Sequence, residues 1–278
     1  MSNKGKVAVV TGGGGALCGP VVLDLARQGC KLVLIGRRME LLEKRAEEAR
    51  ELGASCLCIS ADVKDEARMR EVRDEIHSKM GKVSILVNGA GGNQMDVVAN
   101  VNEYSAAELE PDHDFKGWFD LKMDRFLDVI NVNVMGTVIP CQIFSRDMAE
   151  LGGGAIVNFA SMNTFRPLSR VPAYAASKAA VSNFTQWLAA YLAPAGIRVN
   201  AVAPGFFWNE RSPKLMLKAD GTPSERAEHI MYHTPMHRWG QAEELLGCIR
   251  WLLNDDEASF VTGITVPVDG GFLSNAGL

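Results

Sequence analysis

The sequence predicts an α/β fold: one domain built on a doubly wound parallel β-sheet with helices on both faces. Three observations predict it. Short runs rich in Val, Ile or Leu recur along the chain, and near-continuous apolar runs suit strands buried on both faces. Helical patterns fill the intervals, which is the alternation of a parallel sheet with right-handed crossovers. No repeat or low-complexity linker breaks that rhythm, so the 278 residues read as a single domain, a size that α/β folds commonly reach.

The strand-like runs fall at 7–10, 31–35, 56–59, 83–87, 155–159 and 198–202, bounded by Gly, Asp or Asn. Helical patterns occupy 20–28, 39–52, 65–80, 124–150 and 175–193. Two segments stand outside the alternation, around 92–117 and 206–238. Both are long for connections and read as substrate-side insertions or lids.

The first strand runs into Thr11-Gly12-Gly13-Gly14-Gly15-Ala16-Leu17-Cys18-Gly19 and then a helix. Glycines let backbone approach a phosphate closely, and a helix N-terminus offers unpaired N–H groups with a positive dipole end. Gly12, Gly14, Gly15, Ala16 and Leu17 are therefore candidates for a dinucleotide pyrophosphate, although a glycine-rich stretch also suits a plain surface turn and a literal G-x-G-x-x-G is absent. The second strand ends Gly36-Arg37-Arg38. An acidic residue there holds a ribose 2′-hydroxyl, whereas arginine suits a 2′-phosphate. Arg37 accordingly favours NADP(H) over NAD(H), unless both arginines merely cap the strand. Asp62, Val63, Asn88, Ala90 and Gly91 close the third and fourth strands and are candidates to line the nucleoside.

Tyr174 and Lys178 lie four apart on a predicted helix, so their side chains share a face. A nearby cation favours phenolate and lowers the phenol pKa by about 1 to 3 units, which suits acid–base work. Such pairs are also common on helix surfaces. Ser161 follows the fifth strand at the carboxyl edge, where open sheets bind ligands; a lone serine there also serves as a turn cap.

The ordered set of motifs resembles the short-chain dehydrogenase/reductase family over essentially the whole chain. The matching residues are the glycine-rich turn, N-G-A-G at Asn88 to Gly91, Asn133 in I-N-V-N-V-M-G, Ser161, Y-A-A-S-K at Tyr174 to Lys178, Pro204-Gly205 and V-P-V-D-G-G-F near the end. The resemblance implies a Rossmann fold and a catalytic tetrad of Asn133, Ser161, Tyr174 and Lys178. Tyr174 would transfer the proton, Lys178 would hold the nicotinamide ribose and tune Tyr174, Ser161 would polarise the C–O group, and Asn133 would anchor a proton-relaying water. Tyr174, Lys178, Pro204 and Gly205 would also touch the cofactor. A homotetramer, packed through two long helices and the C-terminal strand, is implied as well. Ala16 and Cys18 stand where the family usually has glycine.

Further likeness at residues 161–168, 181–187 and 204–207 is to the sugar-acid branch that interconverts D-fructuronate and D-mannonate, a small-molecule oxidoreduction. A sugar-acid carboxylate wants a forked donor. Arg166, Arg170, Arg211 and Arg238 all lie in segments able to face the site, Arg166 first among them and Arg211 next, though each alone suits a solvated loop. Asn93, Asn163, Ser161 and Tyr174 complete the expected substrate site. The stretch Trp208-Asn209-Glu210-Arg211-Ser212-Pro213 departs from that branch, which leaves gluconate-type or 3-oxoacyl substrates, or a non-catalytic nucleotide-binding protein, as alternatives.

The bulk properties fit. A net charge of −4 and the lack of a basic stripe make nucleic acid an unexpected partner. The polar N-terminus and the apparent lack of an apolar stretch of about 18 residues make the cytoplasm, with no membrane, the expected location. Six scattered cysteines read as reduced, and neither they nor His233 and His237 have metal-ligand spacing, so no metal is expected.

Overall fold

The computed structural model describes residues 3–210 and 212–275. Seven parallel strands form one sheet: β1 (Val7–Thr11), β2 (Lys31–Gly36), β3 (Cys56–Ser60), β4 (Val83–Asn88), β5 (Gly154–Phe159), β6 (Ile197–Pro204) and β7 (Thr265–Val268). Their order is β3-β2-β1-β4-β5-β6-β7, and every neighbouring pair is parallel. This is a single-domain Rossmann fold. The strand order reverses between β1 and β4, opening a crevice at the carboxyl edge where such sheets bind ligands.

The period-two alternation of β1 shows why the sheet needs helices on both faces. Ala8 and Val10 point into one core with Val21 and Leu25 of α1 (Cys18–Arg27), Leu42 and Ala46 of α2 (Met39–Glu51), and part of the C-terminal helix pair. Val7 and Val9 point into the other, with Met69, Val72 and Ile76 of α3 (Glu66–Lys79). A strand with no polar side has no stable place except between two layers.

Three expectations are corrected. β7 is a seventh strand, missed because it has four residues and contains Pro267; proline is tolerated at a sheet edge, where its missing N–H faces no partner. The predicted helix over 124–150 is three pieces: α4 (Met123–Ile130), a π-helical turn (Asn131–Met135) and α5 (Gly136–Leu151). The inserted residue of a π-turn re-aims side chains and is frequent at functional sites. Finally, this 29-residue helical stretch is long and apolar enough by composition to cross a membrane, with a mean hydropathy of 1.4 over an 18-residue window. It is instead a core helix: Ile139, Ile143, Phe144 and Met148 are buried against the sheet.

Its one fully buried charge is tied down. Asp147 accepts from Arg73 at 3.0 Å, lies 2.6 Å from His77 Nε2 and accepts from the Val83 N–H at 3.1 Å, which fastens α5 to α3 and to the start of β4. Removing one member of such a network strands the others. Asp147→Ala is expected to destabilise the fold by about 3 kcal/mol, read as a lowered denaturation midpoint; a change below about 0.5 kcal/mol would show that the network is idle.

The remaining helices are α6 (Pro172–Leu192), α7 (Ser212–Met216), α8 (Glu225–His233) and α9 (Leu246–Leu252). Segment 92–117 holds only short 3-10 turns among the described residues. It is clasped at its base by Asn100 and Lys116, whose backbones and side chain bond reciprocally at 2.9 and 2.7 Å. Segment 206–238 carries α7 and α8. All six cysteines are free thiols.

Candidate active site

α6 begins with proline at its first turn, where a missing N–H costs nothing, and this sets Tyr174 in the opening turn with Lys178 one turn on. The Lys178 ammonium lies 5.6 Å from the Tyr174 ring centroid and donates to the Phe159 carbonyl of β5 at 2.6 Å. Ser161, just beyond β5, lies close enough to Tyr174 to favour its ionised form. Phenol, ammonium and hydroxyl therefore converge at the carboxyl edge of the sheet.

The electrostatics differ from the expectation in one respect. Burial pushes the Tyr174 phenol above its ordinary value, and the nearby Ser161 hydroxyl only partly offsets it. The expected lowering by a neighbouring cation is not found: the cost of taking a phenolate out of water dominates, and the group that lowers it is the Ser161 hydroxyl, not the Lys178 ammonium. Burial likewise pushes Lys178 down to about 8, with Cys18 acting weakly the other way.

Asn133 sits in the π-turn, fully buried. Its amide accepts from the Gly92 N–H and donates to the Gly92 carbonyl, both at 2.9 Å, and also donates to Ser177 Oγ at 3.0 Å. It thus clamps the start of segment 92–117 to α6. A Cβ at Gly91 would collide with Asn133 Oδ1, so glycine is required at that position.

The second cleft, on the β1 to β3 side, is lined by Gly12, Gly14, Gly15, Arg37, Asp62, Val63, Ala90 and Gly91, together with Gly36, Arg38 and Val132. Leu17 gives α1 no side-chain cap, so the leading N–H groups of that helix are open to an anion. Gly12 has φ +67, and a Cβ there would press on Gly89 and Ala90 backbone at 2.9 Å. An uncapped helix and a turn packed too tightly for side chains fit a dinucleotide. Ala16 and Leu17 sit at the helix mouth, outside the cleft lining. Pro204 and Gly205 end β6, where Gly205 N–H bonds Val268 O at 2.9 Å.

Asn88 is buried and ties β4 to β5 by donating to Asn158 Oδ1 at 2.9 Å, so it shapes the floor of the cleft. Cys18 is accommodated because it is small and packs against Gly89, where a Cβ would collide with its sulfur. Burial pushes its thiol up to about 12, which keeps it neutral.

The substrate candidates fare unevenly. Asn163 is buried and spends both ends of its amide, donating to Ser161 Oγ at 3.3 Å and accepting from Leu168 N–H at 2.9 Å. Asn93 Oδ1 accepts from the next N–H at 3.0 Å, a local turn. Arg166 donates to the carbonyls of Asn275 at 2.8 Å and Leu273 at 3.5 Å, because the chain's C-terminal segment folds over it. Arg238 is held in a two-pronged pair with Glu244 at 2.6 and 2.7 Å. Arg211 lies outside the described residues. Among the described residues no cluster of three or more His, Cys, Asp or Glu is placed to hold a metal. Arg38 also lines the cleft, and the Gly36-Arg37-Arg38 run already signalled it.

Comparison with known proteins is consistent with this geometry. The short chain dehydrogenase family model matches residues 6–216. The oxidoreductase UxuB of Bacillus subtilis, itself of uncharacterised activity, is 39% identical, covering 99% of this chain and 97% of its own. A solved structure from Haemophilus influenza with bound NAD, whose assignment as a D-mannonate oxidoreductase is provisional, is 36% identical with a TM-score of 0.95, covering 100% of this chain and 98% of that one. A gluconate 5-dehydrogenase from Burkholderia cenocepacia, solved with NADP and tartrate, is 29% identical with a TM-score of 0.82, covering 99% and 98%. The chain belongs to the short-chain dehydrogenase/reductase family and is a nicotinamide-dependent oxidoreductase.

Proposed function

We propose that this enzyme oxidises and reduces a sugar acid, interconverting D-mannonate and D-fructuronate, with NADP(H) preferred over NAD(H). The observation that carries the chemistry is the convergence of Ser161 and buried Lys178 on the Tyr174 phenol, with the ammonium 5.6 Å from the ring centroid. A bound nicotinamide supplies the hydride acceptor or donor.

Ser161 orients the reacting C–O group, its hydroxyl held in place by the Asn163 backbone and amide. Tyr174 takes the alcohol proton in oxidation and returns it in reduction. Lys178 holds the nicotinamide ribose and keeps positive charge by the phenol, while Asn133 anchors a water that relays protons through Lys178. Gly12, Gly14, Gly15, Ala16 and Leu17 seat the pyrophosphate; Asp62, Val63, Ala90 and Gly91 flank the adenosine; Pro204 and Gly205 close the nicotinamide side.

The NADP(H) preference rests on Arg37. It lines the cleft beside Arg38, and neither is ion-paired among the described residues, while Gly36 offers no carboxylate to a ribose hydroxyl. A homotetramer is proposed from the outer face of α4 and α6, where Leu127, Trp187 and Tyr191 are exposed and the last two stack at 5.2 Å.

The test is nicotinamide absorbance change with D-mannonate, D-gluconate and a 3-oxoacyl thioester, each with both cofactors. Turnover of D-mannonate at least tenfold above the other two, with kcat/KM higher for NADP, is expected. Preference for the thioester would overturn the substrate assignment, and preference for NAD would overturn the cofactor assignment.

A further inference from the structure

Arg166 and Arg238 are engaged elsewhere, whereas Arg170, which the sequence also offered, shares a pocket with an arginine it did not, Arg226. A pocket between the loop ahead of α6 and the first turns of α8 is walled by Leu168, Phe206 and Phe272 and carries Arg170 and Arg226. Arg170 lies four residues before Tyr174. Its Nε donates to Asn102 Oδ1 at 2.7 Å, and Ser169 Oγ donates to the same oxygen at 3.2 Å. Arg170 sits at φ 72, a region that non-glycine residues occupy at a cost and chiefly where function requires it. Its carbonyl accepts from the Ala99 N–H at 2.9 Å, so segment 92–117 holds it in that conformation.

Arg226 is different. Among the described residues its guanidinium makes no hydrogen bond and no ion pair. Partial desolvation and then the neighbouring Arg170 charge push its pKa down, although Arg226 as a whole is exposed, so the two guanidinium groups are near neighbours at one pocket. Glu225 also borders the pocket but pairs with neither arginine. His229 and His233 border it too and offer ring N–H donors. Two guanidinium forks and no matched carboxylate describe a site for a planar anion.

Resting on the sugar-acid reading, we infer that Arg170 and Arg226 bind the substrate carboxylate, with Arg170 held in place by Asn102. The spacing suits this class. In D-mannonate the carbon oxidised to the ketone of D-fructuronate lies four bonds from the carboxylate carbon, about 5 Å in an extended chain. The pocket wall at Leu168 is tied to the catalytic serine through Asn163, which accepts from the Leu168 N–H at 2.9 Å and donates to Ser161 Oγ at 3.3 Å. The apolar walls carry the carbon chain, and the fork opposite selects an acid over a neutral polyol.

The test separates binding from turnover. Calorimetry with cofactor present compares D-mannonate and neutral D-mannitol on the wild type, Arg226→Gln, Arg170→Gln and Arg226→Lys. D-Mannonate affinity should fall about 10- to 100-fold in each Gln variant, the range expected for losing a charge-assisted fork. It should recover partly in Arg226→Lys, and D-mannitol binding should not change. Thermal midpoints for the Arg226 variants should match the wild type, since that side chain supports nothing else. Unchanged D-mannonate affinity in Arg226→Gln, equal losses for D-mannitol, or no D-mannonate binding by the wild type would each overturn the inference. Failure of the sugar-acid reading appears elsewhere, as wild-type enzyme that binds D-mannonate through Arg226 but does not turn it over.

Discussion

Tyr174→Phe is expected to lower kcat roughly a thousandfold in both directions while leaving fold and cofactor affinity close to the wild type. The magnitude is that of a positioned general acid–base group. The substitution keeps the ring, and therefore its packing against Val97, Val129 and Ala173. It deletes only the hydroxyl and its approach to Ser161, a loss of no more than about 1 kcal/mol in stability. The pH dependence follows from the direction of the phenol shift. With its pKa raised by burial, Tyr174 is protonated through neutral pH, so reduction, which needs the proton, should hold its rate there and fall as the phenol ionises. Oxidation needs the phenolate and should climb with pH over the same range. Steady-state rates against pH in each direction check this. Activity in Tyr174→Phe within tenfold of the wild type would remove Tyr174 from the proton path.

How far these features are legible in the sequence depends on whether they are local. The strands of the buried sheet announce themselves because a strand covered on both faces has no polar register, and β1 is a run of that kind. The Tyr174–Lys178 spacing and the serine upstream are legible for the same reason: helix period and strand edge place them without help from distant chain. β7 is hidden by Pro267, which reads as a breaker unless the strand is known to lie at an edge. The π-turn around Asn133 is hidden because the pattern on either side is uninterrupted helix. The arginines were misjudged on long-range grounds. Arg166 is taken by carbonyls more than a hundred residues away, and Arg226 becomes a partner of Arg170 only once segment 206–238 has folded against the loop ahead of α6.

Lys178→Met is expected to abolish activity and, at neutral pH, to relieve the protein of a buried charge. The ammonium is 5% exposed, and burial pushes its pKa from 10.5 to about 8, a difference worth about 3 kcal/mol. Because the folded value lies below the unfolded one, the native protein binds fewer protons than the unfolded chain between about pH 8 and 10.5, and this group's contribution to stability rises with pH through that window. Below about 8 the whole cost is present. Methionine fills much of the same space without it, although the Phe159 carbonyl loses a donor at 2.6 Å and returns about 1 to 3 kcal/mol of that relief. The buried thiols complicate the raw curve: Cys30, Cys58 and Cys141 are each pushed up to about 12 and lose stability for the fold above about pH 9. They are common to both proteins, so the difference between variant and wild type isolates the lysine. That difference should move by about 3 kcal/mol in favour of the wild type from pH 7 to 10.5. Denaturant titrations at both pH values measure it, and a difference that stays flat would mean that Lys178 is solvated in the folded protein. A charge kept in the core at that cost, 5.6 Å from the ring of the phenol proposed to carry the proton, is explained by catalysis and not by packing.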